Sequence, residues 1–209
     1  MSILKAMQWR YATKKFDAIR RLDAEAIDDL LQTVNLAPTS FGLQPFRVFN
    51  IVDPTLRAQL AAATVNAAQV ASASHLLVLA AASRLERAAV AGFIDRAAQV
   101  RGVERSSLAA REAQIAGVVD GMDGAGRLSW AQRQAYLALG VLVAAAAQSG
   151  IDACPMEGFD AAAVDRILDL EQQGYRATVF ALLGHRAADD PFSGLAKVRK
   201  PLDQLVATL

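Results

Sequence analysis

The sequence predicts a single layered domain of the α+β or α/β class. Three short runs are rich in β-branched, aromatic or aliphatic residues, and segments with helical spacing separate them; the runs are FRVFNIV, HLLVLAAAS and ATVFALLG. Strands and helices that alternate in this way pack as layers around one core. A chain of 209 residues is long enough for one sizeable core, so we expect one domain over residues 1–209.

Charge and cysteine usage exclude several classes of protein. The formal net charge is +1 and the charged residues are mixed along the chain, so nothing predicts attraction to nucleic acid or to an anionic membrane. The one cysteine, Cys154, cannot form an intrachain disulfide and fits a reducing cytoplasm. Two histidines and this cysteine, far apart in sequence, make a poor metal site. We therefore expect a cytoplasmic protein with no metal, nucleic-acid partner or membrane segment.

The first elements follow from helical spacing and capping residues. SILKAMQWR has apolar residues near helical spacing, and LDAEAIDDLLQTVNLAP predicts a second helix with Asp23 as its N-cap. Pro38 ends this helix, because the residue before a proline is pushed out of helical geometry. The loop APTSFGLQPF leads into the strand FRVFNIV, and Asp53-Pro54 starts a third helix.

The second half continues the alternation. HLLVLAAAS predicts a buried strand, and Arg84 to Asp120 have helical spacing. The segment DGMDGAGR predicts a mobile loop, because its three glycines offer little to pack. Trp130 to Ser149 predict a long helix that is apolar nearly all round, so some of its packing partners are expected from a second subunit. ATVFALLG is a further strand, and the tail from Ala187 has little periodicity.

Neither common phosphate-binding loop is present. The sequence has no G-x-G-x-x-G after a strand and no G-x-x-x-x-G-K-[ST], so a bound phosphate must be held by side chains. Basic residues occur near the start in RYATKK and near the end in KVRK. Two such clusters would bind a phosphate strongly if the fold brought them together, but each also fits a solvated charged segment. Sequence spacing leaves the two alternatives open.

Four motifs, in order, resemble those of a known family. RYATKKFD, APTSFGLQPF, GIDACPMEGFD and GLAKVRKP are similar to segments of the nitroreductase family of FMN flavoenzymes, over nearly the whole chain. The chain resembles most the branch of oxygen-insensitive NAD(P)H nitroreductases and dihydropteridine reductases. The resemblance implies a nitroreductase-like α+β fold with a central mixed β-sheet flanked by helices. It also implies an intertwined homodimer with FMN at the subunit interface and NADH or NADPH as electron donor.

The resemblance assigns cofactor and substrate positions residue by residue. The cofactor-binding positions it implies are Arg10, Tyr11, Ala12, Lys14, Pro38, Thr39, Ser40, Gly42, Gln44, Asn66, Gln69, Pro155, Met156, Glu157, Gly158, Lys197 and Arg199. The substrate-binding positions are Lys14, Phe41 and Asn66. No side chain is assigned as a catalytic nucleophile, since the flavin carries the chemistry.

Several of these positions have specific expected roles. Arg10, Lys197 and Arg199 are expected near the flavin phosphate, and the backbone N–H of Glu157 is expected to face N5 of the ring. Phe41 is expected beside the substrate, serving the flavin of the partner subunit. The alternative is that Phe41 only anchors its loop.

The chain departs from the family pattern at three places. Ala12 stands where similar proteins carry a cofactor-bonding serine, which removes one hydrogen bond worth about 0.5–1.5 kcal/mol. Gln69 stands in place of a lysine near the flavin pyrimidine, so the reduction potential should be lower. Small residues at 115–117 replace bulky aromatics and predict a wider pocket.

The resemblance implies a reductase that works by two-electron, ping-pong hydride transfer. Its acceptors would be nitroaromatics, quinones or related compounds. The alternatives are a dihydropteridine or flavin reductase, a non-catalytic FMN-binding dimer, and a structural dimer without cofactor.

Overall fold

The computed structural model describes residues 1–209, and a four-stranded sheet lies at its centre. The strands are β1 (Phe46–Asn50), β2 (His75–Ala82), β3 (Asp152–Met156) and β4 (Tyr175–Gly184), arranged in the order β1-β2-β4-β3. All three neighbouring pairs are antiparallel, which corrects the expected mixed sheet in this respect. Two helices separate β1 from β2, and the chain re-enters the sheet in the opposite direction. The parallel pairing is limited to an isolated bridge between Ala12 and Ala153.

Helices cover both faces of the sheet. They are α1 (Ile3–Trp9), α2 (Ala24–Asn35), α3 (Pro54–Ala62), α4 (Ala67–Ser72), α5 (Arg87–Arg101), α6 (Ala109–Asp120), α7 (Gly124–Gln148), α8 (Ala161–Ile167) and α9 (Leu202–Leu205). The predicted α+β class is therefore confirmed, and so are the three predicted strands.

The alternation of side chains along the strands divides the core into two halves. Leu77 and Leu79 of β2 face α2 and α7, whereas Leu76 and Val78 face the side of α3, α4 and α8. All four side chains are fully buried, as expected for a strand covered on both faces. A third, smaller cluster lies where α5 and α6 pack together.

Two helix starts follow the predicted capping residues. The Asp23 carboxylate accepts a hydrogen bond from the N–H of Ala26 at 2.8 Å, and the Asp53 carboxylate accepts one from the N–H of Leu56 at 2.7 Å. Pro54 follows Asp53 at the first turn of α3, where a missing N–H is harmless. The apolar residues of α2 share one face of the helix that packs on the core; Ile27, Leu30 and Val34 are buried and Leu31 is partly buried.

The predicted mobile loop DGMDGAGR is mostly helix. α7 begins at Gly124, six residues before the predicted start, and only residues 121–123 connect it to α6. The Asp123 carboxylate caps α7 by accepting from the N–H of Gly126 at 2.6 Å. A good N-cap offsets the low helix propensity of the two glycines that follow it.

Opposite ends of the chain lie against each other. The N–H of Asp17 donates to the C=O of His185 at 2.8 Å, and the N–H of Ala187 donates to the C=O of Lys15 at 2.9 Å. The remaining tail is largely exposed and has little regular structure apart from α9. No helix has both the length and the apolar character needed to span a bilayer.

Candidate functional site

A cleft of about 430 Å³ lies where β3 ends and α4 begins. Seven of the residues implied by the resemblance line it: Lys14, Asn66, Gln69, Pro155, Met156, Glu157 and Gly158. They come from three distant parts of the sequence, and Val65, Cys154 and Phe192 complete the lining. The fold therefore brings these sequence-predicted positions together in one place.

The backbone at the end of β3 offers two free donors to this cleft. Glu157 and Gly158 directly follow β3, and their N–H groups donate to no acceptor within the chain. Gly158 also allows a close approach of Val65, whose N–H donates to the Gly158 C=O at 2.9 Å. A Cβ at position 158 would lie 2.5 Å from Cγ2 of Val65, so only glycine fits here without movement.

Asn66 and Gln69 form a local hydrogen-bonded pair on one wall. The Asn66 side-chain oxygen caps α4 by accepting a hydrogen bond from the N–H of Gln69 at 3.2 Å. Nδ2 of the same Asn66 side chain donates to Gln69 Oε1 at 3.3 Å. Gln69 is buried and its Nε2 donates to the C=O of Thr13. The side-chain amide of Gln69 thus connects α4 to the N-terminal segment. Because this amide is neutral and hydrogen-bonded, its burial costs much less than that of a charged group.

Cys154 lies at the base of the cleft beside Lys14. Its Sγ is 3.9 Å from Lys14 Nζ. Burial raises the pKa of the Cys154 thiol, although the ammonium of Lys14 acts in the opposite direction. The cysteine is therefore a neutral, buried side chain rather than a reactive thiolate.

The two basic segments predicted to hold a phosphate do meet. Lys197 Nζ donates to the C=O of Met7 at 2.8 Å and to the C=O of Arg10, at the C-terminal end of α1. Burial, followed by repulsion from Arg10 and Arg199, lowers the pKa of Lys197. Nε of Arg10 is buried without a hydrogen-bond partner, and burial lowers the pKa of this guanidinium. Three cations therefore share one small region, with an unused donor among them.

Asp190 fixes the N-terminal segment and was not found from the sequence. Its Oδ2 accepts from the Tyr11 hydroxyl at 2.8 Å, from the N–H of Lys14 at 2.9 Å and from the N–H of Lys15 at 3.1 Å. Burial and the hydrogen bond to Asp190 raise the pKa of Tyr11 to about 12. The Tyr11 hydroxyl is thus occupied by its hydrogen bond to Asp190. Ala12 forms an isolated backbone bridge with Ala153.

The first loop does not reach the cleft within its own chain. The six predicted positions on it, none of which lines the cleft, are Pro38, Thr39, Ser40, Phe41, Gly42 and Gln44. The N–H of Ser40 donates to Gln134 Oε1 at 2.8 Å, and Gln44 Nε2 donates to the C=O of Asn35 at 2.8 Å. These contacts hold the loop against α7 and the end of α2.

Phe41 is held in an unusual backbone conformation. Its φ is +60°, in the left-handed region that a non-glycine residue rarely adopts. The ring packs against the cluster between α5 and α6, and the Arg111 guanidinium lies 5.0 Å from the ring centre. Gly42 follows with φ +82°, and a Cβ there would lie 3.3 Å from the Phe93 ring. Within one chain Phe41 is therefore an anchor of its loop, while its expected role toward a partner stays a prediction.

Sequence comparison identifies the family to which this chain belongs. The profile of the Nitroreductase family matches residues 7–185. This chain is a member of the Nitroreductase family. A Staphylococcus aureus protein provisionally named as an NAD(P)H nitroreductase is 33% identical, over 91% of this chain and 89% of that relative.

Solved structures of Nitroreductase-like proteins share the fold over the full length. A protein of Staphylococcus epidermidis, provisionally named an NAD(P)H:FMN oxidoreductase, has a TM-score of 0.88 at 18% identity and covers 100% of this chain and 96% of its own. A provisionally named nitroreductase of Exiguobacterium sibiricum, solved in complex with FMN, has a TM-score of 0.85 at 20% identity and covers 100% and 98%. The nitroreductase fold is thereby confirmed.

One expected departure from other Nitroreductase family members is corrected by the packing. Ile115 was expected to border a wider pocket, but it is fully buried between α5 and α6. Residues 109–120 form α6, so position 115 faces the inside of a helix pair rather than a cleft. Gly117 has no atom within 4 Å of a Cβ built on it and so lies on the open side of α6.

A second contact at the cleft was not predicted from the sequence. The Tyr136 hydroxyl of α7 donates to Glu157 Oε1 at 2.6 Å, which ties the long helix to the segment after β3. Asp190 and Tyr136 both act over long sequence distances, so no local spacing signals them. The only signal at Asp190 is its place before Pro191, which is typical of a turn.

Proposed function

We propose that this chain is an FMN-dependent NAD(P)H oxidoreductase that reduces nitroaromatics, quinones or related acceptors in two half-reactions at one site. The observation that carries the proposal is the cleft in which Lys14, Asn66, Gln69 and the segment Glu157–Gly158 converge. The name of the Staphylococcus aureus relative and the FMN in the Exiguobacterium sibiricum structure support the two cofactors.

The donors present fit both ends of a flavin mononucleotide. Arg10 has a buried Nε without a partner beside the cations Lys197 and Arg199, and guanidinium groups bind phosphate through several hydrogen bonds. Arg10 also lies near Cys154, which lines the cleft. The free N–H groups of Glu157 and Gly158 suit the polar edge of a flavin ring. These residues would therefore hold the phosphate and orient the ring.

The chain's own contribution is binding, orientation and electrostatics. Bound FMN would supply the two-electron hydride chemistry that protein side chains lack. Lys14 brings a positive charge to the cleft, and Asp190 fixes the Lys14 backbone. Lys14 and Asn66 of one chain, with Phe41 of the other, would contact the acceptor. A neutral Cys154 takes no covalent part in this proposal.

A homodimer completes the proposed site. The first loop, with positions 38–44, lies apart from its own chain's cleft and would serve the cofactor of the partner subunit. Apolar side chains that are exposed on α1 and α7 would be buried between the subunits; they are Ile3, Leu4, Tyr136 and Leu137. Exposed apolar side chains on neighbouring helices are typical of interaction surfaces. The proposed compartment is the cytoplasm, in keeping with the one cysteine.

An anaerobic absorbance spectrum tests the proposal. The purified protein should show a flavin band that bleaches with NADPH or NADH and returns when a nitroaromatic or a quinone is added. Faster return with a dihydropterin substrate or free flavin would favour the alternative reductases. A band that persists with both donors would favour a non-catalytic FMN-binding dimer, and colourless protein that binds no added FMN would overturn the proposal.

Two variants test whether the cation cluster binds the FMN that the spectrum detects. Arg10→Gln and Arg199→Gln should each weaken FMN binding by about tenfold or more, since a hydrogen bond to a charged group is worth about 1.5–3 kcal/mol. Arg20→Gln is the control, because this exposed arginine lies outside the cation cluster.

A further inference from the structure

One aromatic side chain at the candidate cleft was assigned no role from the sequence. Phe192 lines the cleft together with Lys14 and Asn66, and it is the only aromatic residue among the ten that do so. It belongs to the turn at residues 191–194, which follows β4. The positions implied by the family resemblance lie in other segments of the chain.

The chain itself leaves the ring of Phe192 largely uncovered. Phe192 is 45% exposed, lies outside all three hydrophobic clusters and forms no pair with another ring. By contrast, the rings of Phe159 and Phe180 stack on each other with their centres 4.3 Å apart. Much of the apolar surface of Phe192 is therefore free to contact a molecule bound in the cleft.

The backbone of Phe192 is nevertheless held in place. Its N–H donates to Asp190 Oδ1 at 2.9 Å, and Pro191 between them restricts the chain. Both the N–H and the hydroxyl of Ser193 donate to the C=O of Asp190, at 3.1 Å and 2.9 Å. The N–H of Leu195 donates to the C=O of Phe192 at 3.2 Å. These hydrogen bonds make a defined turn, so the ring starts from a fixed backbone position.

The carboxylate that holds Phe192 also holds Lys14 on the cleft wall. Asp190 is buried, and while its Oδ1 accepts from the N–H of Phe192, its Oδ2 accepts from the N–H of Lys14 at 2.9 Å. The backbones of Phe192 and Lys14 therefore keep a fixed relative position. A binding surface whose parts are placed in advance loses less conformational freedom when a ligand binds.

We propose that Phe192 is a further cofactor-contacting residue, whose ring packs against the flavin ring bound in the cleft. This inference rests on the proposed function, since it takes the cleft to hold FMN. Lys14, Asn66 and the free N–H of Glu157 suit the polar groups of the flavin ring. Phe192 supplies the one aromatic surface of the cleft against which the flat, apolar part of that ring can pack.

Fluorescence of the FMN-bound protein tests this contact. An indole ring in contact with a flavin quenches its emission, because the indole transfers an electron to the excited flavin. Phe192→Trp should therefore lose most of the flavin emission shown by the natural protein. Leu195→Trp is the matched control, because Leu195 is 66% exposed on the same tail and does not line the cleft. This control should emit like the natural protein.

The affinity for FMN gives a second, independent measurement. Phe192→Leu keeps an apolar side chain but removes the ring, so it should raise the Kd for FMN about threefold to tenfold, as expected for the loss of one aromatic pair. Phe192→Tyr retains the ring and should bind FMN as the natural protein does.

The failure of this inference is distinguishable from that of the proposed function. Unchanged emission in Phe192→Trp, or an unchanged Kd in Phe192→Leu, would overturn the flavin contact while the proposed function stood. Sedimentation of these variants as monomers, where the natural protein is a dimer, would also overturn it, by showing that the ring packs against the partner subunit. A natural protein that binds no FMN would overturn the proposed function and this inference with it.

Discussion

At the scale of single residues, the Asp190 carboxylate accepts four hydrogen bonds, and no sequence pattern predicted them. Its carboxylate accepts from the Tyr11 hydroxyl, from the N–H groups of Lys14 and Lys15, and from the N–H of Phe192. Asp190→Ala would leave these donors without a partner and should lower the free energy of unfolding by about 3 kcal/mol. Urea denaturation measures this loss. Asp190→Asn, which retains one acceptor oxygen, should lose less, and a change below about 0.5 kcal/mol for the alanine variant would contradict the assignment.

The same carboxylate should make stability depend on pH on the acid side. Burial alone would raise the pKa of Asp190, but the N–H donors of Phe192, Lys14 and Lys15 outweigh it, and the pKa is lowered. A lowered pKa gives stability that is present above the unfolded value, about 4, and is lost as the pH falls through the folded value. Between pH 6 and pH 3, thermal denaturation should therefore show a smaller loss for Asp190→Asn than for the natural protein.

Gln69 should set the potential of the flavin under the proposed function. A cation at this position would stabilise the anionic reduced ring, so Gln69→Lys should raise the midpoint potential. An effect of about 1 kcal/mol corresponds to roughly 20 mV for a two-electron couple. Redox titration of the bound flavin gives the value, with Gln69→Met as the uncharged control. An unchanged or lower potential in the lysine variant would show that position 69 does not face the reduced ring.

At the scale of elements, the end of β3 depends on one glycine. Gly158→Ala would place its Cβ 2.5 Å from Cγ2 of Val65, so the segment after β3 must move. We expect a loss of about 1–3 kcal/mol in the free energy of unfolding, together with weaker FMN binding. The double variant Val65→Ala with Gly158→Ala removes the clash and should recover most of both. Failure of the second change to rescue the first would argue for a backbone cause instead.

Elements were predictable wherever the signal was local. Asp23 and Asp53 cap helices as their neighbours suggested, and β2 reads directly as an apolar run of strand length. The predicted start of α7 was wrong. The Asp123 cap and the packing of α6 against α5 stabilise the structure here by more than the low helix propensity of two glycines costs. Propensity is a weak signal, and tertiary packing routinely overrides it.

At the scale of the whole molecule, α7 presents apolar side chains that its own chain leaves uncovered. Leu137 is 51% exposed and Tyr136 is 39% exposed, although the opposite side of the helix is buried. Under the proposed dimer, Leu137→Asp should convert dimers to monomers in analytical ultracentrifugation and should release FMN as well, because burying an unpaired charge costs several kcal/mol.

The matched control for this dimer prediction is Val100→Asp on α5. Val100 is 79% exposed, so it tests the effect of an added surface charge away from α7. It should leave the oligomeric state unchanged. A Leu137→Asp protein that sediments like the natural one would remove α7 from the interface.

The candidate site was predictable only as a set of separate motifs. The resemblance supplied Lys14, Asn66 and Glu157, and the fold brings them to one cleft. Asp190 and Tyr136 were not found, because a hydrogen bond between residues far apart in sequence leaves no local pattern.

The contact between Lys197 and the end of α1 has a consequence for a shortened chain. Lys197 Nζ reaches the carbonyls of Met7 and Arg10, so the cation cluster combines residues from α1 with residues of the tail after β4. The sheet and its two core halves are complete at Gly184, where β4 ends. Proteolysis between Ser193 and Lys197 would therefore spare the core but remove two of the three cations, and fading flavin colour would report the cut before any loss of fold.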